Sequence, residues 1–126
     1  MIGYVTIGTN NFDNAIRFYD QLMAILDEKR LWTTDSMAAW GLSREEPSLC
    51  ITEPYDGALA TVGNGVMVAL KASSREQVDS LHCRAIELGG KDEGAPGARG
   101  TNGFYGGYFR DLDGNKLNAY IPAKSA

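Results

Sequence analysis

The chain has 126 residues and a mass of 13.6 kDa, enough for one domain or for two small modules sharing a core. Apolar residues make up 44% and charged residues 22%, ordinary for a globular chain. A net charge of -4 with a pI of about 4.9 leaves no basic footprint and argues against a nucleic-acid partner.

In chain order, "IGYVTIG" (2–8) is rich in β-branched and aromatic residues and predicts a strand. Asn10 and Asn11 then cap a helix running to about Leu26, with Phe12, Ile16, Tyr19, Met23 and Leu26 as its apolar face. "RLWTT", "MAAWGL" and "SLCITE" follow as three short strands, and Pro54 ends the set. "EPYDGALATVGNG" reads as a turn-rich connection. The order then repeats. "GVMVALK" (65–71) is a strand, Ser73 opens a second helix with Glu76 completing a capping box, and Val78, Leu81, Ala85 and Leu88 form its stripe. Gly89-Gly90 close that helix. "KDEGAPGARGTNG" is expected to be a loop, with at most a short strand at its start, in which Arg99 is more simply a solvated side chain than part of a flap. "FYGGYFRD" and "NKLNAYI" form a hairpin about Asp113-Gly114. The spacing from Tyr4 to Met67 equals that from Asn11 to Ser74, so strand, helix and three strands occur twice in one pattern.

No charged, apolar, then small-residue leader is evident and no apolar run is long enough to cross a bilayer, so no membrane association is expected. Cys50 and Cys83 lie far apart without metal or redox spacing, which fits a reduced, cytoplasmic setting. His82 and Cys83 are adjacent on a helix and point about 100 degrees apart, so they do not form a nucleophile–base pair; His82 reads as a surface or packed histidine. "DLDGN" lacks the glycine position and distal glutamate of a calcium loop, and no glycine cluster continues into the Gly-Lys-Ser/Thr of a phosphate cradle.

The paired β-α-β-β-β pattern, "FRDLDGNKL" (109–117) and "AIRFYD" (15–20) together resemble the vicinal oxygen chelate superfamily, which includes glyoxalase I, extradiol dioxygenases, fosfomycin-resistance transferases and bleomycin-binding proteins. The resemblance covers nearly the whole chain. It implies an α+β fold of two tandem βαβββ modules forming a half-barrel cleft, with module one at about 1–56, a linker at about 57–64 and module two at about 65–122. It also implies a homodimer, with the modules closing within one chain or between two. In the superfamily's metal enzymes, ligands come from the first strand of each module and from the last strands. Those positions are Tyr4, Met67 and Asn118 here, with a fourth near Cys50 or Thr52.

A phenol, a thioether and a carboxamide bring no formal charge to offset a divalent cation, and one histidine in the chain cannot build a His-rich site. The expectation is therefore a fold without the superfamily's metal, and no cofactor. Alternation from the ligand-equivalent positions turns Tyr4, Thr6, Met67, Ala69, Asn118 and Tyr120 inward, and family register adds Tyr108. Trp32, Trp40 and Cys50 line the same hollow or, for the two tryptophans with equal weight, fill the core. The candidate ligand-binding set is Tyr4, Thr6, Trp32, Trp40, Cys50, Met67, Tyr108 and Asn118.

Such a lining suits a small, partly aromatic or hydrophobic molecule held by stacking and oriented by a few polar tips. The alternative is a lyase, isomerase or dioxygenase with a non-standard active site, in which Tyr4 or Tyr108 donates a proton or Cys50 acts as nucleophile. Glu53, the nearest carboxylate on that strand, alternates to the face opposite Cys50. A protein-interaction module is the third reading, favoured only if the cleft is packed solid.

Overall fold

The structure, a computed structural model, describes residues 1–125. Ten elements follow one another: β1 (Tyr4–Gly8), α1 (Phe12–Ile25), β2 (Lys29–Thr33), β3 (Met37–Gly41), β4 (Ser48–Thr52), β5 (Val68–Lys71), α2 (Arg75–Glu87), β6 (Lys91–Ala98), β7 (Tyr105–Arg110) and β8 (Lys116–Ile121). They build two four-stranded sheets with the orders β1-β4-β3-β2 and β5-β8-β7-β6. In each sheet the strand before the helix pairs in parallel with the last strand of its set, and the other pairings are antiparallel. The expected α+β pair of βαβββ modules is what the chain forms.

Both helices begin where a short polar side chain satisfies a free amide. The Asn11 side chain accepts from the Asn14 amide, and the Ser74 hydroxyl accepts from the Gln77 amide. The second cap is therefore Ser74 and not Ser73; Gln77, rather than Glu76, reaches back, accepting from the Ser73 amide at 2.8 Å. The buried stripe of α1 is Ala15, Phe18, Tyr19, Leu22 and Met23, while Phe12, Ile16 and Leu26 pack at its margin. One face of each sheet lies under a helix. Trp40, Leu49 and Ile51 pack beneath α1, and Phe109, Leu117 and Ala119 beneath α2, in one continuous core.

Two strands differ from expectation. β5 is confined to Val68–Lys71, so Met67 lies just before it. The glycine-rich segment after α2 is an eight-residue edge strand, β6, whose register slips between Asp92 and Gly94 and again between Gly94 and Gly97. Hydrogen bonding to β7 overrides the weak strand propensity of its glycines and proline, and the slips absorb them as bulges. The close of α2 requires glycine for space: a Cβ at Gly90 would lie 2.7 Å from the carbonyl oxygens of Ala85 and Arg110.

The modules meet through α1 against α2 and through the β7–β8 turn. That turn, with Gly114 in the left-handed region (φ 90), is more than a connection. Asp111 accepts four hydrogen bonds: from the Tyr19 hydroxyl at 2.6 Å, the amides of Asp113 and Asn115 at 2.9 Å each, and Asn115 Nδ2 at 3.0 Å. Asn115 Nδ2 also donates to the Gly8 carbonyl at 2.9 Å, and the Asn10 amide donates to Asp113 Oδ1 at 2.8 Å. Burial pushes the Asp111 carboxyl up while its donors pull it back; burial and the Asp111 carboxyl push the Tyr19 phenol well up, so it remains a donor. Tyr19→Phe removes one donor from a buried carboxyl and is expected to cost about 1–3 kcal/mol in urea denaturation, whereas Asp111→Ala, which takes the acceptor from the Tyr19 hydroxyl and the Asn115 amide together, is expected to cost more.

Candidate functional site

The helix-free face of each sheet is open, and register decides what it carries. On the first sheet Tyr4 lies beside Ser48, Thr6 beside Cys50, Cys50 beside Ala39, and Ala39 beside Trp32. Tyr4 is 66% exposed and Thr6 is exposed, Trp32 is half-buried and Cys50 is buried. Burial pushes the Cys50 thiol up, against hydrogen bonds with Ser48 and Thr6, so it is not poised as a thiolate. Glu53, the carboxylate weighed as its base, lies beyond the end of β4 and is exposed.

On the second sheet Tyr108 lies beside Asn118, and Asn118 beside Ala69; Tyr120 and Lys71 occupy the next level. Asn118 is 2% exposed, and its Oδ1 finds no hydrogen-bond partner among the described residues. Its strand neighbours Leu117 and Ala119 face the helix, so alternation turns the Asn118 carboxamide to the open face beside Tyr108. An unpaired amide oxygen out of contact with water is costly, and a donor arriving on that face would offset the cost. The Tyr108 ring has the Arg99 guanidinium 5.4 Å and the Lys116 ammonium 5.7 Å from its centroid.

Of the eight candidate residues, Tyr4, Thr6, Trp32 and Cys50 share the first open face, and Tyr108 and Asn118 the second, with Met67 at the margin of β5. Trp40 departs from the candidate set. It faces α1, fully buried, and its indole N–H donates to Asp20 Oδ1 at 2.8 Å; the neighbouring Tyr19 ring is 5.7 Å away. Its parity on β3 is opposite to that of Ala39, which puts it in the core. Among the described residues the two open faces are not brought together: no strand of one sheet contacts a strand of the other in a sustained way, and none of four cavities is lined by both residue sets. A groove of about 510 Å³ instead runs between the modules beside Ile2, Val5, Leu49, Val66, Met67 and Leu70.

His82 is buried on the helix side of the second sheet. Its Nε2 lies 3.1 Å from both Asp92 Oδ1 and the Tyr108 carbonyl oxygen, a packed histidine away from either open face. The residues at the superfamily's metal-ligand positions do not fit a divalent ion. Tyr4 is an exposed phenol on one sheet, Met67 and Asn118 lie with the other, and among the described residues no group of three or more His, Cys, Asp or Glu could hold a metal. Sequence reasoning took Arg99 as a solvated side chain and passed over Lys116, because the overall acidity of the chain gives no hint that both lie against Tyr108.

Residues 1–119 match the profile of the Glyoxalase/Bleomycin resistance protein/Dioxygenase superfamily. A glyoxalase/bleomycin resistance protein from Albidiferax ferrireducens T118 is 34% identical, with 97% of this chain and 98% of that one covered and a TM-score of 0.88. A putative glyoxalase from Bacillus halodurans (22% identity, 97% and 96% coverage, TM-score 0.77) and the fosfomycin resistance protein FosX from Listeria monocytogenes (17% identity, 98% and 93% coverage, TM-score 0.70) share the fold. No curated protein matches the chain. With its duplicated βαβββ architecture and a profile match over almost its full length, the chain belongs to the Glyoxalase/Bleomycin resistance protein/Dioxygenase superfamily.

Proposed function

We propose that this superfamily member binds a small, partly aromatic or hydrophobic molecule on its open sheet faces without a metal ion. The observation that carries this reading is the buried, unpartnered Asn118 Oδ1 beside the Tyr108 ring. A structural asparagine at 2% exposure would satisfy both ends of its amide with protein groups. One whose buried oxygen is left unpaired reads as a contact held in reserve for a ligand. The lack of metal follows from the donor set, in which neither Tyr4, Met67 nor Asn118 supplies a charge or an imidazole.

In this reading the cleft is completed by a second copy of the chain. Within one chain the two open faces do not meet, and Ile2 (58%), Tyr4 (66%) and Val66 (59%) are exposed close to the groove between the modules or on the first open face. Apolar side chains gathered in this way are what a two-fold interface would cover. The bound molecule then sits between the first sheet of one protomer and the second sheet of its partner.

Four measurements test the proposal. Protein purified without chelator is expected to contain no stoichiometric zinc, nickel, manganese or iron by elemental analysis, and an aromatic probe such as benzyl alcohol is expected to raise its melting temperature. Asn118→Leu is expected to keep or gain stability, by up to about 1–2 kcal/mol, because it removes an unpaired polar atom while retaining volume, and to weaken probe binding. A merely structural Asn118 would give the opposite pattern. In sedimentation, the chain is expected to run as a dimer, and Ile2→Glu to shift it towards monomer.

A further inference from the structure

The open face of the second sheet carries a charge pattern that runs against the acidity of the chain. Lys91 on β6 lies beside Arg110 on β7, which lies beside Lys116 on β8, so three cations form one cross-strand row on one face. Like charges placed directly opposite one another destabilise a sheet. Among the described residues, Glu93 is the one carboxylate in ion-pair contact with this row, through Arg110 Nε at 2.9 Å. The Arg110 hydrogen bond, with Lys91 and Lys116 adding to it, holds the Glu93 carboxyl below its ordinary value. One carboxylate leaves the row with excess positive charge in a protein whose net charge is -4.

The row opens into a space. Segment 62–66, Met67, Arg110 and Lys116 enclose a groove of about 520 Å³, large enough for a small organic molecule. At the next level of the same sheet stand Tyr108 and the unpartnered Asn118 Oδ1. Arg110 is held in place by Glu93 and by the Gly114 carbonyl, to which Nη1 donates at 3.0 Å, while Lys116 makes no ion pair and lies against the Tyr108 ring. A fixed guanidinium and an ammonium without a carboxylate partner among the described residues, facing one groove, form a site for an oxyanion.

We propose that the molecule bound here is an organic anion. Its carboxylate or phosphate head lies at Arg110 and Lys116 in the groove beside segment 62–66, its apolar or aromatic body lies along Tyr108, and a hydroxyl or amine on that body donates to Asn118 Oδ1. This assignment rests on the reading that the open face of the second sheet holds the ligand, and it adds the charge of that ligand and the residues that select it. The anion offsets the repulsion within the row and completes the polar contact that the protein leaves unmade.

The test compares benzoate, phenyl phosphate, inorganic phosphate and neutral benzyl alcohol by calorimetric or NMR titration at low ionic strength, where charge contacts are least screened. Benzoate or phenyl phosphate is expected to bind at least about tenfold more tightly than benzyl alcohol, the scale of one charge-assisted contact. Lys116→Gln is expected to erase that preference by weakening both aromatic anions at least about tenfold; because Lys116 makes no ion pair among the described residues, the variant should melt near wild type. Phenyl phosphate favoured over benzoate identifies a phosphate-type head, and the reverse identifies a carboxylate. Equal affinity for the neutral and charged aromatics, or a preference surviving both Lys116→Gln and Arg110→Gln, overturns the anion assignment while an aromatic site still stands. Inorganic phosphate binding alone, without either aromatic anion, marks an adventitious ion only and overturns it too. No binding by any of the four probes overturns both the assignment and the reading beneath it.

Discussion

The contact between Tyr19 and Asp111 fixes how the two halves of this protein sit against each other. One partner comes from the first helix and the other from the turn between the last two strands, so a single 2.6 Å hydrogen bond spans most of the chain. Around it the carboxyl gathers three further bonds from its own turn, and Asn115 ties the same turn to the end of β1. A buried carboxyl satisfied in this way specifies one docking geometry, because any slip between the modules would leave several polar groups unpaired. The apolar contact of α1 with α2 contributes area, and the polar turn contributes register.

That joint has a consequence for the open faces. With the helices and the turn holding the modules together, each sheet presents its uncovered side outward from its own helix, and the two sides do not meet within the chain. The residues they carry differ in kind. The first bears Tyr4, Thr6, Trp32 and Cys50, a neutral and mostly apolar group, while the second bears two tyrosines, Asn118 and a row of cations. A hollow built from one of each would hold a molecule with an apolar side and an acidic end. In the proposed reading, cationic side chains take the place of a divalent ion in attracting such a ligand.

The position of Asn118 illustrates how the same strand supports different chemistry. Inward-facing side chains on the last strand of a βαβββ module converge with those of the first, whatever their identity. A carboxamide at such a point neither neutralises a cation nor ionises, so what it offers is a neutral acceptor and donor with fixed direction. The neighbouring Tyr108 adds a flat apolar surface, and the cations around it keep the face positive. Binding specificity would then come from the alignment of these three features across adjacent strands, which the register of β7 with β8 sets.

Much of the architecture was legible in the residues. The duplication, both helices, most strands and the Asp113-Gly114 turn follow from local periodicity and turn chemistry, which act over a few residues and leave a direct trace in the sequence. Alternation counted from the superfamily's ligand positions turned Tyr4, Thr6 and Asn118 inward, and family register added Tyr108, so these placements rested on the resemblance as well as on the local rule. The rest depended on contacts between distant segments. β6 became a strand only because β7 offers it a hydrogen-bonding edge, despite its glycines and proline; Trp40 was assigned to the core by its indole contact with Asp20 and by the parity of β3 against β4. The role of "DLDGN" in joining the modules, and the assembly of Lys91, Arg110 and Lys116 into one row, were likewise invisible beforehand. Residues brought together by three strands leave no periodic signal along the chain, so only the tertiary fold could place them side by side.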